Sequence, residues 1–248
     1  MKALKFTLKG ETAFFKKPDV NTYMYFTYGN IHKIALLGIL GAILGLKGYN
    51  QQEGADYPEF YQQLMNLKVA IVPKKDEKGL LSIFGKKVQT FNNSVGYASQ
   101  EAGGNLIVRE QWLEKPQWTI YIREDHPYYQ NIVEKIIGHQ CTYLPYLGTN
   151  DHLATIINEE EIELQEIRDN CKISSLFIKE DFIEAQEEEG DFFEVKETYY
   201  KYQEKLPISL EKEYNQYQFA TFIATNQKMQ NVGGKELFVF DNQVLYFF

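Results

Sequence analysis

The chain opens on strict alternation. Over residues 3–8, Leu4, Phe6 and Leu8 fall on one side and Lys5 and Thr7 on the other, the two-residue period of a half-buried strand. A connection rich in Lys, Pro and Tyr follows over residues 10–30, where Pro18 and Asn21 oppose regular structure. Residues 31–47 then predict a helix that is apolar on nearly every side, as buried helices are. Within it Gly38, Gly41 and Gly45 share one stripe. Each glycine costs about 1 kcal/mol against alanine inside a helix, so the stripe calls for something that approaches the bare backbone closely. In the commoner case that is a sheet or helix of the same chain; the alternative is a bound partner.

Further on, residues 60–72 read as a strand ending at Pro73, and residues 74–105, rich in Lys and containing Gly, read as a long hairpin projecting from the body. Residues 99–105 have almost nothing to bury and predict a mobile tip. Strands are predicted at 106–109 and 118–122, a helix at 128–138, and a turn at 145–150 that leads into a short segment at 151–157. The segments 175–183, 192–201, 219–224 and 237–248 alternate or run apolar between polar breaks, so this part predicts mostly β structure. Strand, helix and strand recur within the first 150 residues, which points to an α+β fold, an antiparallel sandwich of the ferredoxin or RRM kind. The expected division is residues 1–155 for that unit, with the hairpin inserted at about 73–108, and residues 156–248 for the mostly β remainder.

Composition agrees with strands: 15% of the residues are aromatic. The charge is informative for its distribution. The net value of −8 hides +5 over residues 1–50, +3 over 73–89 and −12 over 150–213. An anionic ligand is therefore expected on the N-terminal half, and the acidic remainder is left for solvent or a basic protein neighbour. Acidic runs such as Glu159-Glu160-Glu161 and Glu187-Glu188-Glu189 read as solvated faces. Cys141 and Cys171 are too few for a disulfide framework, and their spacing from His139 and His152 fits no usual zinc pattern. No cofactor and no metal is expected. The longest apolar run, 34–46, is about half of what a bilayer core requires, and the first residues lack the continuous apolar stretch of a signal peptide. The expectation is a cytoplasmic protein with no membrane partner.

Three blocks are more specific. Gly10-Glu11-Thr12-Ala13-Phe14-Phe15-Lys16-Lys17-Pro18 with Thr22-Tyr23 and the helix that follows resembles the start of the CRISPR-associated Cas five family of the RAMP superfamily. Arg109-Glu110-Gln111-Trp112-Leu113-Glu114-Lys115-Pro116 leading into Gln117-Trp118-Thr119-Ile120-Tyr121 resembles the family's segment after its β-hairpin thumb. Tyr143-Leu144-Pro145-Tyr146-Leu147-Gly148-Thr149-Asn150 with Asp151-His152-Leu153-Ala154 resembles its Pro, Tyr-Leu-Gly loop. The blocks occur in family order, cover roughly residues 1–155, and look closest to the type I-B branch.

The resemblance implies a RAMP domain that holds and caps the 5′ handle of the guide RNA (crRNA) in a type I, Cascade-like ribonucleoprotein complex for antiviral defence. It also implies that the chain joins the large subunit to the backbone subunits and meets target DNA only through the complex. Reading of target sequence is left to base pairing by the guide. A single-stranded handle is held by phosphate contacts and stacking on aromatic faces, which needs no basic protein overall. The residues singled out for RNA contact are Lys16, Lys17, Thr22, Tyr23, His32, Lys86, Lys87, Arg109, Tyr146 and Gly148. Each has a structural alternative: a solvated Lys, a core Tyr, a Gly needed only for a turn.

One branch of the family cuts its own guide precursor with a Tyr and an adjacent Lys-His pair. This chain contains no Lys-His dipeptide; Tyr49 is near the expected Tyr, but His32, His126, His139 and His152 are scattered. The sequence therefore predicts no catalytic residue, with a metal-independent endoribonuclease as the alternative and a free RRM-like binder as a third reading. No phosphate loop ending in Gly-Lys-Ser or Gly-Lys-Thr, His-Glu-x-x-His or Gly-x-Ser-x-Gly motif is present.

Overall fold

The computed structural model describes residues 1–19, 23–52, 54–76, 81, 84–92, 96–168, 171–185 and 198–248. Its centre is a four-stranded antiparallel sheet made of β1 (Lys2–Lys9), β2 (Val69–Pro73), β5 (Gln117–Arg123) and β6 (Thr155–Glu163), in the order β2-β5-β1-β6. Helices α1 (Lys33–Leu44) and α2 (Glu59–Leu64) connect β1 to β2, and α3 (Tyr129–Ile137) connects β5 to β6. This is the ferredoxin-like arrangement, with the first strand at the centre and the last beside it. The hairpin of β3 (Gly85–Asn92) and β4 (Ile107–Glu114) is inserted between β2 and β5. No helix among the described residues is long and apolar enough to cross a membrane.

Alternation in β1 sets the two faces. Leu4, Phe6 and Leu8 are fully buried and pack with Ile120, Ile122, Leu36, Leu40, Ile132 and Ile136 on the helix side. On the other face Ala3, Ala70, Val72, Tyr121 and Ile162 lie under Phe238, Leu245 and Phe247. Those three belong to or follow the hairpin of β9 (Leu237–Phe240) and β10 (Gln243–Tyr246), whose two-residue turn, Asp241-Asn242, has both φ angles positive as tight hairpin turns require. An RRM stacks bases on this face of its sheet. Here the chain covers it with its own aromatics.

Helix α1 is shorter than residues 31–47 because both ends are capped. His32 is extended, and its ring accepts from the Ala35 N–H. At the other end Gly45, at φ +83°, turns the chain, and the amides of Gly45 and Leu46 return to the Ala42 and Gly41 carbonyls. The glycine stripe meets its own chain: a Cβ on Gly41 would stand 2.5 Å from the Phe60 Cβ, and one on Gly45 2.9 Å from Thr142.

Several boundaries differ from expectation. Residues 60–72 are not one strand; α2 occupies their first part, because Phe60, Tyr61 and Leu64 point inward at helical spacing and only Val69 onward pairs with β5. Strand β4 runs to Glu114, well past residue 109, so the inserted hairpin extends beyond residue 108. Residue 155 opens the strand that completes the sheet, so the N-terminal unit runs on to Glu163. Glu159-Glu160-Glu161 therefore lies within a strand paired to the Lys-bearing β1, with Asn158 at φ +57° in the bulge and Lys5 bonded to Glu160.

Among the described residues the C-terminal part is mostly β, as expected, but in three small sheets. One joins β7 (Lys201–Leu210) and β8 (Tyr217–Thr225) to Phe177–Ile178; the second joins Phe182–Glu184, Lys228–Asn231 and Cys171–Lys172; the third joins β9 and β10 to Gln165–Ile167. The expected strand at 175–183 is interrupted by a 3-10 turn, Lys179–Asp181. Most of the one at 192–201, and the run Glu187-Glu188-Glu189, lie outside the described residues.

Candidate nucleic-acid interface

The three sequence blocks, which together span residues 10–154, meet at the base of the β3–β4 hairpin. Thr12 and Ala13 pair with Glu114 and Leu113 of β4. The Phe14 N–H donates to the Leu147 carbonyl at 3.0 Å, and a Cβ on Gly10 would stand 2.7 Å from Leu147 Cδ1. Residues 14–17 then fold back on 25–28: the Lys17 N–H donates to the Phe26 carbonyl at 2.8 Å and the Tyr28 N–H to the Phe15 carbonyl at 2.9 Å. The returning arm lies along β4, with the Tyr25 N–H on the Arg109 carbonyl (2.8 Å) and the Gln111 N–H on the Tyr25 carbonyl (2.9 Å).

Register assigns the side chains to faces, since residues directly opposite one another on paired strands share a side. Lys87 is opposite Trp112, Gln89 opposite Glu110, and Tyr25 opposite Glu110, so Tyr25, Lys87, Glu110 and Trp112 lie on one side. On that side Lys16 Nζ stands 3.7 Å from the centre of the Tyr25 ring and Lys87 Nζ 5.8 Å from that of Trp112. Two ammonium groups each paired with an aromatic ring form a surface suited to a phosphate chain with unstacked bases. The Glu110 carboxylate accepts from the Trp112 indole at 2.8 Å, which fixes the ring and places one opposing charge on the same side. Lys86, opposite Leu113, and Arg109, opposite Thr90, lie on the other side with Val88 and Ile107.

The expected RNA residues thus separate. Lys16 and Lys87 come together, while Lys86 and Arg109 occupy the reverse of the hairpin, and Tyr23 is 82% exposed at the end of the folded-back loop. Thr22 lies outside the described residues. Lys17 points the other way from Lys16, its ammonium 3.1 Å from Glu204 and 5.1 Å from the Tyr28 ring centre. His32 is buried among the rings of Phe15, Tyr28 and Tyr217, where desolvation pushes its pKa down to about 3 and holds it neutral. Its side chain caps α1 and offers nothing to a surface ligand. Gly148, at φ +100°, makes its close approach to the chain itself: a Cβ there would stand 1.8 Å from the Phe14 carbonyl oxygen. Tyr146 is half-exposed and pairs across the turn with Leu153.

Tyr25 and Trp112 were missed in the sequence. Trp112 lay inside a block already singled out and Tyr25 two residues past Tyr23, but only the register of the loop against β4 shows that their rings face the same way as Lys16 and Lys87. His152 is buried beneath this surface, its Nδ1 2.6 Å from Thr12 Oγ1 and its ring edge-on to Trp112 at 4.6 Å. Burial lowers its pKa, with Asp151 opposing. Elsewhere His126 accepts from the Tyr128 N–H and His139 stands 2.9 Å from Glu159. Tyr49 packs edge-on against Phe60, and burial raises its pKa. Among the described residues no group of three or more His, Cys, Asp or Glu side chains gathers as a metal site.

No protein-family model and no curated protein sequence matches the chain. Solved structures do. A subunit of a CRISPR RNA-guided surveillance complex superposes with a TM-score of 0.52 at 10% identity, over 92% of this chain and 91% of its own. A CRISPR protein from Archaeoglobus fulgidus gives 0.53 at 6% identity, over 99% and 98%. A subunit of the type III-B Cmr-beta assembly bound to cognate target RNA and AMPPnP gives 0.50 at 13% identity, over 92% and 86%. At these identities the likeness is one of fold, and it extends over nearly the whole length: the chain shares its α+β architecture, mostly β with few helices, with proteins of CRISPR-associated complexes.

Proposed function

We propose that the chain is the non-catalytic subunit of a type I CRISPR surveillance complex, nearest the type I-B branch, that binds and caps the 5′ handle of the crRNA and links the large subunit to the backbone subunits. The observation that carries this reading is the convergence of the three blocks at the hairpin base, where Lys16 with Tyr25 and Lys87 with Trp112 present paired cations and rings on one side. Handle recognition needs this combination: charge for the phosphates and aromatic rings for bases that are not paired. The reading also suits a sheet whose second face is covered, because the ligand is then left to the hairpin and loop.

The absence of catalysis is part of the proposal. His32 and His152 are buried and used within the fold, and His126 and His139 flank α3, where they meet the Tyr128 N–H and Glu159. The test is to express the chain with its genomic neighbours and a repeat-spacer transcript. Stoichiometric co-purification with the other subunits, and protection of the handle from nuclease that is lost when this chain is omitted, are the expected results. Turnover of repeat RNA by the purified chain into a discrete product would overturn the reading in favour of an endoribonuclease.

A further inference from the structure

Glu204 is on β7, within the most acidic stretch of the chain, and by charge alone it is a poor neighbour for nucleic acid. Its carboxylate nevertheless reaches both arms of the loop that forms the candidate interface. Oε1 stands 3.1 Å from the Lys17 ammonium, and Oε2 accepts the Gly29 N–H at 2.9 Å and the Tyr202 hydroxyl at 2.5 Å. The carboxylate is largely buried, with its side chain 12% exposed. Gly29 fits closely here: a Cβ would stand 2.5 Å from the Tyr202 hydroxyl oxygen. The carboxylate, together with Tyr202, holds both arms of the folded-back loop, one through Lys17 and one through Gly29. Adjacent residues of an extended arm point to opposite sides. Tying Lys17 down on the β7 side therefore presents Lys16 on the Tyr25 side.

We propose that Glu204 is a positioning residue for nucleic-acid binding, and that Lys17 is its anchor rather than a phosphate ligand. The proposal rests on the RNA-handle reading above and adds a sign to it. If Glu204 were merely a nearby negative charge, removing it would strengthen RNA binding, because phosphates are repelled by carboxylates. If it sets the loop, removing it weakens binding although the site becomes more positive.

The test is anisotropy of a fluorescein-labelled RNA carrying the handle sequence, measured against the full chain over a range of salt. The parent protein must bind; if it does not, the RNA-handle reading fails, whatever Glu204 does. Glu204→Gln is expected to weaken binding about 5-fold or more and to lower the log–log salt slope by no more than about 0.7, because the one phosphate ligand it positions, Lys16, is no longer held on the binding side. Equal or tighter binding by E204Q overturns the proposal. Lys17→Met is expected to show a similar loss with a similar change of slope, and Lys17→Arg to restore both. A further drop in slope of about 0.7 when Lys17→Met is added to Lys16→Ala would make Lys17 a phosphate ligand and overturn the assignment. The double variant of Glu204→Gln with Lys17→Met is expected to lose no more than the worse single one; independent losses would show that the two residues do not act as a unit. If E204Q melts below the assay temperature, Lys17→Met in the Lys16→Ala background decides the matter by slope.

Discussion

The residues before and after about position 164 bury their aromatics in opposite ways. The first part builds its main sheet from strands of five to nine residues, beside the small sheet of the inserted hairpin, and its first strand carries apolar side chains at the period the sheet demands. The second part builds three small sheets, several of whose strands have only two to four residues, and its large side chains serve mainly to cover the first part. Phe238, Leu245 and Phe247 close one face of the main sheet, while Leu206, Leu210, Phe222 and Phe248 join the cluster on the helix side. Charge follows the same relation. The basic N-terminal part and the acidic C-terminal part are separate along the sequence, but in space they are interleaved: Lys5 meets Glu160 and Lys17 meets Glu204. The lesson is that a polarity of charge along the chain need not be a polarity of surface.

The largest expected effect breaks the first part at its tightest point. Gly148 combines a left-handed backbone with a Cβ position 1.8 Å from the Phe14 carbonyl oxygen, so no side chain fits without separating the turn from the loop. Gly148→Ala is expected to lose about 4 kcal/mol or more, read as a collapse of the urea midpoint or as insoluble expression. A variant with an unchanged midpoint would show that this contact is dispensable. Next, Phe238→Ala removes a buried ring from the cover over the sheet and is expected to cost about 3 kcal/mol. Phe91→Ala, on the projecting hairpin, should cost about 0.5 kcal/mol or less, since that ring is 36% exposed. Equal costs would dissolve the distinction between cover and projection.

This contrast also explains what was legible. Alternation in β1 and the near-continuous apolar surface of α1 are local signals, and they identified the correct elements within a few residues. The fold class followed because strand, helix and strand recur. The front of the 60–72 segment was misread because Phe60, Tyr61 and Leu64 fit either period over so short a run. The short C-terminal strands carry too few residues for any period to show. At the site, residue types were readable but directions were not. Lys16 and Lys17 are neighbours with opposite destinations, and Lys86 and Lys87 lie on opposite sides of one strand. Only the register of β4 against its neighbours decides which cations stand together.

A pH series sharpens the same picture from inside. His32 has a folded pKa near 3, lowered by desolvation from an ordinary value of 6.5. Its neutral form is favoured by folding, so its stabilising contribution is complete above about pH 6.5 and declines as pH falls, at up to about 1.4 kcal/mol per pH unit, until the folded group itself titrates near 3. His32→Asn keeps a capping oxygen without the titration. Its melting temperature should therefore fall less than that of the parent between pH 7 and pH 5. Parallel curves would mean that the ring charges in place, contrary to its burial.

The most specific expected effect concerns the site and leaves stability unchanged. If one side of the hairpin holds the handle, Lys16→Ala and Lys87→Ala should each reduce the log–log salt slope of RNA binding by about 0.7, because each removes one neutralised phosphate. Lys86→Ala, one residue away in sequence but on the reverse of the strand, should leave the slope unchanged. In affinity these losses amount to about tenfold or less at moderate salt, and they leave the fold alone because all three lysines are exposed. The comparison does not depend on absolute affinity, since each variant removes one positive charge from the same protein and long-range attraction falls alike in all three. A slope that drops equally for Lys86 and Lys87 would mean that the RNA wraps the hairpin or that attraction is diffuse. In either case the paired rings of Tyr25 and Trp112 would lose their claim to mark the binding side.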